Sequence, residues 1–65
     1  MNMELLKQYM DNSQYTRAEI AEFISMNEMT FYRRLKANNF TVNEFLAIAK
    51  LLRLTNDQML KILGR

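Results

Sequence analysis

The 65-residue chain has no cysteine, no histidine, no proline and no tryptophan, and its single glycine, Gly64, stands next to the last position. Without thiols or imidazoles there is no disulfide, no thiolate or histidine metal site, and no catalytic constellation built on Cys or His. The acids, lysines and tyrosines that remain do not gather into a site. Asp11, Glu19, Glu22 and Asp57 are accounted for as caps or solvated faces, so no enzyme active centre, metal or cofactor is expected. With no proline and no internal glycine, the turns rely on Asn, Ser and Thr. No apolar run approaches the roughly 20 residues that span a bilayer. Glu4 comes early and no long apolar stretch follows, so the N-terminus does not read as a signal peptide. The expectation is a soluble cytoplasmic protein with no membrane partner.

A chain of this size forms one domain and buries only about 60% of its unfolded surface, so association is a plausible further source of stability. The net charge of +2 is unevenly spread. Residues 1–26 hold two cations (Lys7, Arg17) against four acids (Glu4, Asp11, Glu19, Glu22), a balance of −2. Residues 27–65 hold seven cations against Glu28, Glu44 and Asp57, a balance of +4. Single charges on a helix most often only solvate it; for Lys50, Arg53 and Lys61 that reading and a partner-facing one stand level, whereas for Arg33 and Lys36 the partner-facing one is preferred.

The pattern predicts an all-α bundle of five short helices with no strand, repeat or linker. Met3 to Met10 carries Leu6, Tyr9 and Met10 on one stripe, and Asp11-Asn12-Ser13-Gln14 breaks it. Thr16 with Glu19 forms a capping box, in which the hydroxyl accepts from a first-turn amide and the carboxylate reaches back to the cap. Ile20, Phe23 and Ile24 then recur at helical spacing, with Ala21 beside them as a nearly bare position where another helix can approach closely. Ser25-Met26-Asn27 interrupts the pattern, and Asn27 can cap a second helix whose anchors are Phe31 and Leu35. After a loop at 37–40, Thr41 with Glu44 makes another capping box. Val42, Phe45, Leu46, Ala49 and Leu52 follow at a spacing that can close the core against Phe23, Phe31 and Leu35. Thr55 with Gln58 precedes a last helix carrying Met59, Leu60, Ile62 and Leu63.

The segment Thr16–Lys36 therefore reads as two short helices around a tight turn, the second presenting Glu28, Met29, Tyr32, Arg33 and Lys36 outward. That helix has the shape and chemistry to enter a DNA major groove. On these residues the segment resembles the helix-turn-helix of the small phage repressor and Cro-like (XRE/Cro) family, and the resemblance extends over about residues 3–63. It rests on a polar residue opening the first helix (Arg17), a small residue at the helix crossing (Ala21), apolar residues before and inside the turn (Ile24, Met26) and an apolar anchor in the second helix (Phe31). Two positions depart from the pattern. Ser25 stands where glycine is usual, at a site that commonly takes a positive φ, and Arg34 stands where the family is often apolar, with Leu35 taking the buried role.

The resemblance implies a lambda-repressor-like fold with a central helix-turn-helix and a phage or prophage transcriptional regulator, a repressor that occludes promoters by binding double-stranded operator DNA. Position and chemistry then suggest roles for individual residues. Arg33 can bind guanine O6 and N7 in bidentate fashion, and Asn27 can pair with adenine N6 and N7 when its side chain is not committed to capping. Glu28 can accept from cytosine N4 or simply favour the helix N-terminus. Met29 and Tyr32 can touch thymine methyls, against the alternative of partial core packing, and the Tyr32 hydroxyl can instead reach a phosphate. Arg17, Lys36, Asn38 and Asn39 flank the motif and suit phosphates, with Arg17 placed there by the resemblance. Ile48 and Leu51 flank the fourth helix, and Met59, Ile62 and Leu63 spread around the fifth; such residues either shield the core or form an interface. The interface reading is a homodimer through Met59, Ile62 and Leu63, with two reading helices about 34 Å apart on an inverted repeat. The competing reading is a small antirepressor or interaction module that holds a partner repressor protein. It draws on the low net charge, on Glu28 and on the Met and Leu residues.

Overall fold

Each helix starts at a side chain that replaces a missing backbone acceptor. The computed structural model describes residues 1–64. Among these, α1 (Met3–Asp11), α2 (Arg17–Phe23), α3 (Glu28–Ala37), α4 (Val42–Leu52) and α5 (Asn56–Leu63) are the regular elements, all of them α-helical. The Asn2 side chain accepts from the Leu5 amide at 3.1 Å and opens α1. Thr16, Thr41 and Thr55 open α2, α4 and α5 through complete capping boxes with Glu19, Glu44 and Gln58, as their spacing in the sequence suggests. An N-cap of this kind contributes about 1 kcal/mol.

The helix ends share a second device. Ser25, Asn38 and Arg53 all take left-handed backbone angles, with φ of 58°, 56° and 56°. Each is followed by an amide that reaches back five residues: Met26 to the Ala21 carbonyl at 2.9 Å, Asn39 to Arg34 at 2.9 Å, and Leu54 to Ala49 at 3.0 Å. This is the Schellman closure usually made with glycine, here carried by a serine, an asparagine and an arginine. The positive φ expected at Ser25 is therefore present without the glycine that would relieve it.

The core is centred on Phe31 and Phe45, with Leu6, Met10, Ile20, Ile48 and Ile62 also fully buried around them. Ala21 is 1% exposed, and α2 packs against both α3 and α4. Phe40, expected in a loop, turns inward and places its ring 5.4 Å from that of Phe31.

Several residues expected in the core lie outside it. On α4 the buried stripe is Phe45, Ile48 and Ala49, while Val42 is 61% and Leu46 48% exposed. This helix is apolar over most of its circumference, so spacing alone fits two neighbouring stripes, and packing selects the one that includes Ile48. Phe23 is 51% exposed. Ile20, Ala21 and Ile24 bracket the direction of the core, and Phe23 points about a quarter turn away from it. Ile62, expected at a dimer surface, is 0% exposed. It lies where α5 packs on α1, and its carbonyl accepts a hydrogen bond from the Asn2 amide. No helix among the described residues is long and apolar enough to cross a membrane.

Candidate nucleic-acid interface

The outer side of α3 is set by its two anchors. Phe31 and Leu35 are buried four residues apart, and at about 100° per residue Arg33 stands roughly opposite them. Passing outward from the edge of the core, the helix presents Tyr32, Lys36, Met29 and Arg33 in turn, all exposed. Met29 is 67% exposed, so partial core packing does not describe it. The Tyr32 ring stands edge-on to Phe31, with centroids 6.1 Å apart, and so leans on the core while one side of it stays in water.

The N-terminus of α3 carries Asn27 and Glu28. The Asn27 side-chain oxygen accepts from the Met29 amide at 2.9 Å, so the cap uses one of the oxygen's two lone pairs and fixes where the side chain points. An adenine contact has to be made from that capped position. Glu28 is exposed in the first turn, where a carboxylate complements the helix dipole. At the other end, Asn38 carries the left-handed C-cap and Asn39 the amide that closes it; both side chains are exposed.

Arg34 has a structural task. Its Nη1 donates to both carboxylate oxygens of Glu44, at 2.7 and 2.9 Å. The same Glu44 accepts from the Thr41 amide at 2.8 Å, so one carboxylate caps α4 and ties it to α3. The charged residue at this position is thereby satisfied by the neighbouring helix, and Arg33 beside it has no ion-pair partner among the described residues.

Two depressions flank α3. One, of about 290 Å³, is lined by Thr30, Arg33, Arg34, Ala37 and Asn39, and so brings Arg33 and Asn39 together. The other, of about 410 Å³, is lined by Lys7, Arg17, Tyr32, Leu35 and Lys36 and gathers cations from α1, α2 and α3. Asn27, Glu28, Met29 and Asn38 line neither. Arg17 is held by Asp11, its Nε at 3.2 Å and its Nη2 at 3.1 Å from the two carboxylate oxygens.

No family model, curated protein or solved structure matches the chain. The unanticipated charged member of the interface is Lys7, which is 29 positions from Lys36 in the sequence and joins it only because α1 comes beside α3. Nothing in the local pattern around Lys7 signals that meeting.

Proposed function

We propose that this protein binds double-stranded DNA by laying α3 in the major groove, and that it acts as a sequence-specific transcriptional repressor of the small phage Cro-like kind. The reading is carried by one observation: α3 buries Phe31 and Leu35 and turns Met29, Tyr32, Arg33 and Lys36 outward on a single side. Arg33, exposed, opposite the core and with no ion-pair partner among the described residues, suits a bidentate contact to guanine. Lys36, Arg17, Asn38 and Asn39 border that side and suit phosphates. Asn27 contributes mainly by capping. As a homodimer, the protein would use Leu60, which is exposed, with the half-buried Met59 and Leu63; Ile62 belongs to the core. Two copies would then set their reading helices about one duplex turn apart.

Selection of bound sequences from a random duplex pool, repeated at low and high salt, tests this reading. The expected result is one enriched inverted repeat and an affinity that falls steeply with salt. Salt-sensitive binding with no enrichment would remove sequence reading, and absence of binding would remove the function. A second reading, an interaction module for a partner regulator, is favoured by the exposed Phe23, Val42 and Leu46. An apolar protein complex of that kind would form with little dependence on salt.

A further inference from the structure

Lys7, Arg17 and Lys36 arrive at one cleft from three different helices, over a floor made by the buried Leu35 and beside the Tyr32 ring. Among the described residues, no carboxylate lines this cleft. Asp11 stands behind Arg17 and takes its Nε and Nη2 edge, leaving Nη1 able to donate elsewhere. Glu4 approaches Lys7 only to 3.7 Å and from a strongly exposed position. A pair of that kind is worth little. Three cations against Asp11 and the loosely placed Glu4 leave the cleft net positive, and like charges converging over an apolar floor favour entry of an anion.

We infer that this cleft seats a backbone phosphate of duplex DNA, and that Lys7 is a phosphate-binding residue outside the two-helix motif. In this arrangement Arg17 donates through its free guanidinium edge, Lys36 and Lys7 contribute ammonium groups from either side, and the Tyr32 hydroxyl can donate from the rim. Asp11 is a positioning residue that fixes the guanidinium plane before the anion arrives. The cleft lies on the Tyr32–Lys36 side of α3, so a phosphate held there sets how far the helix enters the groove and at what rotation. Contact from α1 makes the first helix part of the interface as well as a cover for the core.

The inference rests on the DNA-binding reading, and a salt titration separates the two. The protein is titrated with a labelled mixed-sequence DNA duplex over a range of salt, as wild type, Lys7→Met, Lys7→Gln and Lys7→Arg, with a thermal melt of each. Both charge-removing variants keep most of the stem that packs beside the cleft, and the arginine restores the charge. Loss of one phosphate contact lowers the slope of log affinity against log salt by about 0.9. If the contact acts only through released counterions, the affinity falls ~8-fold at about 0.1 M salt and ~4-fold at about 0.2 M. Lys7→Arg is expected to retain the wild-type slope. A wild type that binds with a salt-dependent affinity, while Lys7→Met or Lys7→Gln shows the same slope and affinity, would overturn the role of Lys7 and leave DNA binding standing. A wild type that binds no duplex, or binds anionic lipid vesicles and no duplex, would overturn both.

Discussion

Arg53 sits at φ 56° and ψ 45°, where a side chain crowds the following carbonyl at a cost of about 1 to 2 kcal/mol. It holds this conformation because Leu54 must turn back to the Ala49 carbonyl to end α4. Arg53→Gly is therefore expected to stabilise the protein by about 0.5 to 1 kcal/mol, after the larger backbone entropy of glycine is subtracted. That corresponds to a rise in melting temperature of about 2 to 8 °C, read by circular dichroism. Arg53→Ala, which keeps the Cβ, should give no such rise, and Asn38→Gly should give less than Arg53→Gly because asparagine tolerates the left-handed region better. Arg33 is predicted to behave differently, acting on binding and not on folding. Arg33→Ala should cost about 1 to 3 kcal/mol of DNA affinity and relax preference at one base pair, whereas Arg17→Ala should weaken all sequences alike. Parallel binding of the selected site and its single-base variants checks this, and an even loss for both mutants would remove Arg33 as a reader.

Between elements, the joint of greatest consequence is Glu44. Its carboxylate closes the capping box of α4 and receives Arg34 from α3, so a change there acts on two helices. Glu44→Ala is expected to lower stability by about 1 to 3 kcal/mol, from a lost cap contact and an unpaired, partly buried guanidinium. Glu44→Gln, which can still accept from the Thr41 amide, should cost less; equal losses in chemical denaturation would mean that the cap carries little of the energy. The capping boxes were legible in the chain because a cap is local, a Thr and its partner three residues on. The Arg34–Glu44 pair was not, since its partners are ten residues apart and meet only once α3 and α4 have packed. The register of α4 failed for another reason. Val42, Leu46 and Ile48 are equally apolar, and only the shape of the surrounding core decides that Ile48 goes in. Glycine-free helix ends are also hard to read: asparagine at position 38 is only a weak mark of a left-handed turn, and Arg53 carries none. In the candidate site, the outward side of α3 followed from Phe31 and Leu35, whereas the occupation of Asn27 by its cap and the arrival of Lys7 depended on geometry.

At the scale of the whole molecule, burial separates two residues of α5 that the sequence groups together. Ile62 is sealed in the core and Leu60 faces outward. Ile62→Ala should destabilise the protein by about 2 to 5 kcal/mol, as large-to-small changes in a packed core do. Leu60→Glu should leave the melting temperature of the dilute protein nearly unchanged and abolish self-association in analytical ultracentrifugation; a wild type that sediments as a monomer both free and on DNA would sink the dimer itself. The hydrogen bond from the Asn2 amide to the Ile62 carbonyl has a consequence of a different kind. It brings the beginning and the end of the helical array side by side, so a short peptide linker could join them into a ring without pulling any helix from its place. Ring closure removes freedom from the unfolded chain alone, by about 4 kcal/mol for a loop of this length. A circularised version should therefore unfold at markedly higher temperature while presenting the same α3 to a duplex.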